Sequence, residues 1–152
     1  MTTASRNLES VQATETFGAE IGRRLRIGDT VALRGTLGAG KTTLARGIMH
    51  GLGFDAEVPS PSFAIVQQYE PPETRLPIAH VDFYRIEDPR EIVELGLDEI
   101  LQFGAMIAEW PEHHPDFPWT NGLQIEMKIK PDDTRLLTWQ AGPAWKDRWP
   151  PT

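Results

Sequence analysis

The residues of this sequence whose types and spacing best suit chemistry form a glycine-rich segment that ends in a lysine and a threonine. Residues 35–42 read Gly-Thr-Leu-Gly-Ala-Gly-Lys-Thr and fit the P-loop pattern G-x-x-x-x-G-K-[ST]. Glycines allow successive backbone amides to point at phosphate oxygens, and a helix that begins there adds its positive dipole end. Lys41 brings a cation to the β- and γ-phosphates, and the hydroxyl of Thr42 is a ligand for Mg²⁺. The segment therefore predicts a site for a nucleotide with Mg²⁺.

Two acidic residues come at the ends of apolar stretches and are the candidates to complete such a site. Asp82 follows residues 77–81, and Glu109 follows residues 105–108. An acid at the end of a neighbouring strand can hold the water molecules of Mg²⁺ or position the attacking water. The sequence leaves open which acid does which, so we predict Lys41, Asp82 and Glu109 together as the catalytic residues.

Three histidines near these acids are interpreted as structural residues rather than metal ligands. His80 precedes Asp82 by two residues, and we expect it at the edge of the core because Mg²⁺ prefers oxygen ligands. His113 and His114 lie in a segment without recognisable metal-ligand spacing, which favours a structural or solvated role. The chain has no cysteine, so a thiolate metal site is excluded.

The elements that must position these residues follow from the hydrophobic pattern. A helix is predicted over residues 11–25, because Phe17, Ile21 and Leu25 are spaced four apart on one face. Residues 30–34 are typical of a short buried strand that leads into the glycine-rich segment. Residues 42–52 are typical of the helix that follows it. The glycine-rich segment is therefore predicted to lie between a strand and a helix, which is the context that a P-loop requires.

The rest of the chain alternates between predicted strands and short helices. A helix begins at Asp88 and Pro89 and ends near Gly96, and residues 98–101 add a further turn. The segment from residue 142 onward, rich in tryptophan and proline, is predicted to be irregular. We predict one α/β domain over residues 1–152, a three-layer P-loop NTPase fold with a mostly parallel central sheet and antiparallel C-terminal edge strands. The additional strands are predicted over residues 63–70, 77–84, 105–108, 123–129 and 135–139.

The composition limits the partners and the compartment. The net charge of −7 and the pI of about 5.1 disfavour broad binding of nucleic acid by this chain alone. A local basic patch stays open, because Arg23, Arg24 and Arg26 cluster near the predicted end of the first helix, where a solvated helix end is the alternative. No apolar run is long enough to span a bilayer, and residues 1–7 lack the pattern of a signal peptide. We therefore expect a cytoplasmic protein without a membrane partner.

Five short motifs, taken together, resemble the TsaE family, which is also called YjeE. Their order and approximate spacing match that family from Thr14 to about Arg135. The P-loop alone is shared by many families, whereas the H-x-D-x-Y-R and E-W-P motifs are far more specific. The motifs are Gly-Ala-Gly-Lys-Thr-Thr-Leu-Ala-Arg-Gly over residues 38–47, Ser-Pro-Ser-Phe over 60–63, His-Val-Asp-Phe-Tyr-Arg over 80–85, Glu-Leu-Gly-Leu over 94–97 and Glu-Trp-Pro over 109–111.

The resemblance implies a bacterial ATPase that binds ATP with Mg²⁺ and works with the proteins TsaB and TsaD to make N6-threonylcarbamoyladenosine in tRNA. In that family TsaD carries the transfer chemistry and the ATPase supports repeated turnover, so tRNA is met only through the complex. Hydrolysis is expected to be slow alone and faster with the partners. The resemblance implies Thr42 and Glu109 as the Mg²⁺ residues. The implied nucleotide-binding residues are Thr14, Gly38, Ala39, Gly40, Lys41, Thr42, Thr43 and Arg135, and the implied switch or partner residues are Ser60, Pro61, Ser62, Phe63, Tyr84, Arg85 and Trp110.

Two other functions stay open on the sequence. A small-molecule kinase needs an acceptor pocket and an arginine-bearing lid, and the chain has no insertion long enough to be a clear lid. A non-enzymatic switch would use ATP only to shape a binding surface. The chain lacks the N-K-x-D pattern that reads guanine, so ATP is preferred as the nucleotide.

Overall fold

The structure is a computed structural model, and it describes residues 2–36, 38–58 and 66–149. The strands are β1 (Thr2–Leu8), β2 (Thr30–Arg34), β3 (Val66–Tyr69), β4 (Ile78–Asp82), β5 (Ala105–Glu109), β6 (Leu123–Ile129) and β7 (Arg135–Ala141). The helices are α1 (Val11–Arg24), α2 (Lys41–Gly51), α3 (Pro89–Leu95) and α4 (Leu97–Phe103). Short 3₁₀ turns occur at Pro111–His113, Trp119–Asn121 and Pro143–Trp145.

The seven strands found in this described part of the chain form one mixed sheet in the order β1-β7-β6-β2-β5-β4-β3. The four central strands run parallel to one another, whereas β7, β1 and β3 pair antiparallel. The carboxyl ends of parallel strands lie along one edge of a sheet, where open α/β folds bind their ligands. The residues that follow β2, β4 and β5 are therefore brought together at that edge.

The sheet differs from the sequence prediction at its margins. The C-terminal strands were predicted to form an antiparallel edge, and β6 and β7 pair in that way, but the opposite edge is antiparallel too, because β3 pairs antiparallel with β4. The N-terminal strand β1 was not predicted, since its sequence Thr-Thr-Ala-Ser-Arg-Asn-Leu is mostly polar. It pairs along its whole length with β7, and Ala4 and Leu8 are the side chains that contribute to the apolar core over its residues 4–8. Backbone pairing with a neighbouring strand therefore forms this element without a strong local pattern.

Alternate residues of the central strands face two separate apolar layers. Val31 and Leu33 of β2 pack in the layer that holds the buried faces of α1 and α2. Ala32, between them in sequence, packs in the layer that holds Leu97 and the partly buried side chains of α3 and α4. Because successive side chains of a strand point to opposite faces, the sheet lies between two helical layers.

Helices α1 and α2 approach each other so closely that glycine is needed at the contact. A β-carbon added at Gly22 would lie 2.2 Å from the carbonyl oxygen of Ile48, and one added at Gly47 would lie 2.3 Å from that of Glu15. The backbones of the two helices are therefore in direct contact. This contact fixes the position of α2, the helix that starts at the glycine-rich loop.

The C-terminal segment has the predicted irregular backbone over its described residues 142–149, but the sequence analysis did not predict that its tryptophans lie in the core. Trp145 is completely buried and Trp149 is 3% exposed. Trp149 contacts Phe17 and Trp139, with ring centroids 5.2 and 5.7 Å apart. The backbone forms only a 3₁₀ turn there, but the two tryptophans bury a large apolar area.

No helix in the described ranges is long and apolar enough to cross a membrane.

Candidate functional site

The glycine-rich loop joins the end of β2 to the start of α2, as the sequence predicts. Gly35, Gly38 and Gly40 have φ angles of 150°, 81° and 106°, values that side chains with a β-carbon rarely adopt. Among the described residues, no side chain caps the start of α2, where Gly40 occupies the N-cap position. The first amide groups of α2 are therefore left for another acceptor, and an anion is the acceptor that a helix N-terminus favours.

Lys41, the first residue of α2, is 5% exposed and points back into the loop. Its ammonium group donates to the carbonyl oxygens of Gly35 and Thr36. The same group lies 3.9 Å from the centre of the Trp110 ring, which is a cation–π contact. Burial lowers the pKa of Lys41, and the negative charges of Glu109, Glu112 and Asp82 partly oppose that shift.

Asp82 and Glu109 are the last residues of β4 and β5, and they lie opposite each other in the parallel register. Asp82 is 8% exposed and Glu109 is 4% exposed. The backbone amide of Tyr84 donates to the Oδ1 atom of Asp82 at 2.9 Å. Burial raises the pKa of Asp82, and the nearby charge of Glu109 adds to that rise. Two carboxyl groups and one lysine are therefore buried together at the end of the central strands.

His80 is a partner of Glu109, a pairing that the sequence analysis missed. Its ring is fully buried, and the Nε2 atom lies 2.6 Å from the Oε2 atom of Glu109. His80 precedes Asp82 by two residues on β4, so both side chains point to the same face of the sheet as Glu109. That two-residue spacing was the available signal, but it acquires meaning only when β4 and β5 are known to be neighbours.

An aromatic cluster of Tyr84, Trp110 and His113 covers the lysine side of the site. The Tyr84 ring lies 4.8 Å from that of Trp110 and 5.9 Å from that of His113. Trp110 has a φ angle of 57°, in the left-handed region that is unusual for a bulky residue. The Nδ1 atom of His113 lies 3.0 Å from the carbonyl oxygen of Phe83, which fits its predicted structural role. Tyr84 and Trp110 are thus in contact at the site, and Arg85 follows Tyr84 as an exposed residue.

A cavity of about 230 Å³ lies beside the loop and contains the two outlying residues that the resemblance implied. Thr14 is buried on α1, where its hydroxyl donates to the carbonyl oxygen of Ser10. The Nε atom of Arg135 donates to the carbonyl oxygen of Ala39 at 3.1 Å. The lining residues are Leu8, Glu9, Ser10, Val11, Thr14, Gly38, Gly40, Thr43, Asp133 and Arg135. The structure therefore brings Thr14, Thr43 and Arg135 to one cavity, although they are far apart in sequence.

Thr42 is the second residue of α2 and is half-buried, next to Lys41. The predicted switch residues Ser60, Pro61, Ser62 and Phe63 lie outside the described residues.

The residues that are present fit a nucleotide with Mg²⁺ by their chemistry. The uncapped start of α2 and the buried ammonium group of Lys41 suit phosphate oxygens. No group of three or more His, Asp or Glu side chains suited to hold a metal alone occurs in residues 2–36, 38–58 and 66–149. Mg²⁺ usually takes one or two protein ligands and completes its shell with phosphate oxygens and water. The hydroxyl of Thr42 and one acid are sufficient for that type of binding.

A larger cavity, of about 430 Å³, lies at the opposite end of the same strands, between the β3–β4 pair and the α3–α4 pair. Its lining includes Ile78 and Ala105, the first residues of β4 and β5, and none of the predicted site residues. The buried charges, and not the cavity volume, therefore identify the candidate site.

Comparison with known proteins identifies related sequences and a related structure. A family model described as threonylcarbamoyl adenosine biosynthesis protein TsaE matches residues 8–137. A Bacillus subtilis protein named tRNA threonylcarbamoyladenosine biosynthesis protein TsaE is 41% identical over 115 residues, which are 75% of this chain and 70% of that protein. A Mycobacterium bovis protein of the same name is 34% identical over 143 residues, 89% of this chain and 85% of that protein. The crystal structure of Bacillus subtilis YdiB matches with a TM-score of 0.78 and 29% identity, over 94% of this chain and 88% of that chain.

Proposed function

The chain belongs to the TsaE family of threonylcarbamoyl adenosine biosynthesis proteins, and from that premise we propose that it is an ATPase of tRNA threonylcarbamoyladenosine biosynthesis. The observation that carries the proposal is the burial of Lys41, Asp82 and Glu109 together beside the uncapped start of α2. Buried charges cost free energy, so such a group is a strong candidate for a functional site. The parallel centre of the sheet supports a P-loop NTPase fold, since that fold also places its site at the carboxyl ends of parallel strands.

The loop and Lys41 bind the phosphate groups. The amide groups at the start of α2 donate to phosphate oxygens, as do the amides of the glycine-rich turn. Lys41 exchanges the carbonyl acceptors of Gly35 and Thr36 for phosphate oxygens, which accept more strongly because they are charged.

We assign Thr42 and Glu109 to binding of the metal and Asp82 to the hydrolytic step. Mg²⁺, when bound, neutralises the charge that develops on the phosphate groups. Thr42 would supply a hydroxyl ligand to Mg²⁺, and Glu109 would accept hydrogen bonds from water in its shell. Asp82, with its raised pKa and its fixed Oδ1 atom, orients the attacking water or senses the γ-phosphate.

The cavity beside the loop takes the nucleoside. It is open next to Gly38 and Gly40, and Arg135 contributes a guanidinium group at its wall. Arg135 is anchored to the loop through the carbonyl oxygen of Ala39, so binding there is coupled to the conformation of the loop. We assign adenine to this cavity because the guanine-reading pattern is absent from the sequence.

Partnership with TsaB and TsaD completes the proposal. Tyr84, Arg85 and Trp110 lie directly after the acids of β4 and β5, so a protein that contacts them affects the groups that surround Lys41. Order–disorder changes of such segments are a common way to couple a nucleotide to a partner. The net charge of −7 favours contact with tRNA through the partners rather than directly, and we place the reaction in the cytoplasm.

The test is phosphate release from ATP, measured for this protein alone, for the TsaB–TsaD complex alone and for the mixture. We expect slow release by this protein alone and at least a ten-fold increase in the mixture. Glu109→Gln is expected to remove the increase, whereas Glu99→Gln, which changes an exposed acid of α4, is the matched control and is expected to retain it. Absence of steady phosphate release in the mixture would favour a non-hydrolysing switch, and transfer of the γ-phosphoryl group to a small-molecule acceptor would favour a kinase.

A further inference from the structure

The hydrogen bond between His80 and Glu109 lies in the most deeply buried part of the site. The His80 ring has no exposed surface, and the side chain of Glu109 is 5% exposed. The two side chains come from different strands, with Nε2 and Oε2 separated by 2.6 Å. A bond this short between buried groups fixes the orientation of both side chains, because each loses its alternative rotamers.

The direction of this bond follows from the chemistry of the two groups. An ionised carboxylate only accepts hydrogen bonds, so the proton between the two atoms is carried by Nε2 of His80. The other ring nitrogen, Nδ1, is buried and finds no hydrogen-bond partner within the described part of the chain. A lone pair at Nδ1 is easier to leave without a partner than a buried N–H group, so this tautomer is the one that the surroundings favour.

We propose that His80 is a positioning residue, which holds Oε2 of Glu109 so that the second oxygen, Oε1, is presented to the metal-bound water. The inference rests on the proposed function, since it concerns the metal role of Glu109. Groups that hydrogen-bond to metal ligands typically change metal affinity by about 10- to 100-fold when they are removed. Glu109 would be such a group toward metal-bound water, so loss of His80, which acts one contact further away, is expected at the lower end of that range. His80 itself touches neither nucleotide nor metal in this account, and it acts only through Glu109.

Neighbouring contacts show why Glu109 needs such a partner. Asp82 lies opposite Glu109 in the register and is held by the amide of Tyr84. The backbone carbonyl of Glu109 accepts from the amide of Phe83 at 3.0 Å, so the backbone is also fixed. Without His80, the carboxylate of Glu109 would lose the one side-chain hydrogen bond that it makes among the described residues, although its backbone would remain in place.

Two substitutions of similar size separate the hydrogen bond from the filling of space. Glutamine reaches far enough to put its amide nitrogen near the position of Nε2, whereas asparagine reaches only to the position of Nδ1. We therefore expect His80→Gln to keep the bond to Glu109 and His80→Asn to lose it. The readout is the Mg²⁺ concentration that half-saturates the binding of a fluorescent, non-hydrolysable ATP analogue.

The expected result is a half-saturating Mg²⁺ concentration raised on the order of 10-fold in His80→Asn and changed by less than about 3-fold in His80→Gln. Affinity for the analogue without Mg²⁺ is expected to be unchanged in both variants. An unchanged Mg²⁺ requirement in a folded His80→Asn variant would overturn the proposal, and so would an equal change in both variants.

A second measurement uses the unchanged protein and decides the case if His80→Asn does not fold. A long-range proton–nitrogen NMR spectrum of the nucleotide-free protein identifies which ring nitrogen of His80 carries a proton. A proton on Nε2 supports the proposal, and an unprotonated Nε2 overturns it. Lys41→Ala is measured beside these variants: if the unchanged protein and Lys41→Ala bind the analogue equally, the proposed function fails, while the spectrum still reports on the His80–Glu109 bond.

Discussion

Two buried regions of this protein differ in the type of side chain that they bury. The charged end buries ionisable side chains at the carboxyl ends of the central strands, whereas the tryptophan cluster buries aromatic rings under α1 and beside β7. The charged end comprises Lys41, His80, Asp82 and Glu109, and the tryptophan cluster comprises Phe17, Trp139, Trp145 and Trp149. Both are almost inaccessible to water, so burial alone does not distinguish them.

The difference between them is what each burial does to the free energy of unfolding. Burial of apolar area stabilises a fold by roughly 25 cal/mol per Å². Burial of a charged group costs free energy unless it is paired and hydrogen-bonded, and the lowered pKa of Lys41 and the raised pKa of Asp82 are signs of that cost. We infer that the tryptophan cluster stabilises the fold. The charged side chains lower its stability, and we infer that they are present because the function requires them.

The largest expected effect is on the tryptophan cluster. Trp149→Ala removes a ring that contacts Phe17, Trp139 and Trp145. We expect the free energy of unfolding to fall by about 3 to 5 kcal/mol, because a large cavity replaces the indole. Chemical denaturation measures this loss.

Its control is Trp149→Phe, which retains an aromatic ring and is expected to lose less stability than Trp149→Ala. At a temperature where the variants are folded, the affinity for ATP with Mg²⁺ is expected to stay within about 3-fold of the unchanged protein, since the cluster is not part of the site. A selective loss of ATP affinity in a folded Trp149 variant would break the comparison.

The second-largest expected loss of stability concerns an ion pair that joins the C-terminal segment to the turn after α1. The guanidinium group of Arg148 donates to both carboxylate oxygens of Asp29 at 2.5 and 2.8 Å, and both side chains are buried. Arg148→Met is expected to cost about 3 kcal/mol because it leaves a buried carboxylate. The cost is at the lower end of the usual range, since Asp29 keeps the hydrogen bond from the amide of Arg26.

A double-variant cycle with Asp29→Asn isolates this pair. The double variant is expected to lose less stability than the sum of the two single variants, by about 1 to 2 kcal/mol. Strict additivity would mean that the pair contributes nothing beyond its separate contacts.

The smallest expected change in the free energy of unfolding is at the charged end, where we expect a gain in stability and not a loss. Asp82→Asn keeps an oxygen that accepts from the amide of Tyr84 but removes the buried charge. We expect the nucleotide-free protein to gain on the order of 0.5 to 1 kcal/mol at pH 7, while ATP hydrolysis falls by about 100-fold.

The pH dependence follows from the raised pKa of Asp82. A folded-state pKa above the ordinary value of 3.8 means that the folded state holds the proton more tightly than the unfolded state. The free energy of unfolding therefore falls as pH rises through that raised value, and Asp82→Asn removes this fall. The advantage of the variant is expected at neutral pH and is expected to shrink as pH decreases toward 3.8. A destabilised Asp82→Asn variant at pH 7 would contradict the account.

Local pattern was sufficient to predict much of the fold. The strand–loop–helix around Lys41 occurs as predicted, because an apolar strand, glycines and a helical period are all local signals. The strand β1 was missed since its residues are mostly polar and it forms through pairing with β7. The burial of Trp145 and Trp149 was missed for a similar reason, because an irregular backbone says nothing about which side chains it buries.

In the candidate site, too, some residues could be identified from local sequence patterns, whereas some contacts depend on the fold. The P-loop motif predicts Lys41 and Thr42, and the strand ends predict Asp82 and Glu109, so these candidates come from the sequence alone. Their role stays a prediction, and the structure adds that Lys41, Asp82 and Glu109 are buried. The bond between His80 and Glu109 could not, because it depends on β4 and β5 being neighbours in a particular register. The contact of Trp110 with Lys41 depends likewise on a left-handed residue after β5, which no spacing in the sequence reveals.

The central claim is that the loop and Lys41 form a nucleotide site, and a calorimetric titration with ATP and Mg²⁺ tests it most directly. Lys41→Ala removes the buried cation, and Lys146→Ala removes the same charge from an exposed position in the C-terminal segment. We predict that the unchanged protein and Lys146→Ala bind ATP with equal affinity and that Lys41→Ala binds about 100-fold more weakly, with an unliganded melting temperature that is unchanged or higher. Equal affinity of all three proteins for ATP would contradict the account.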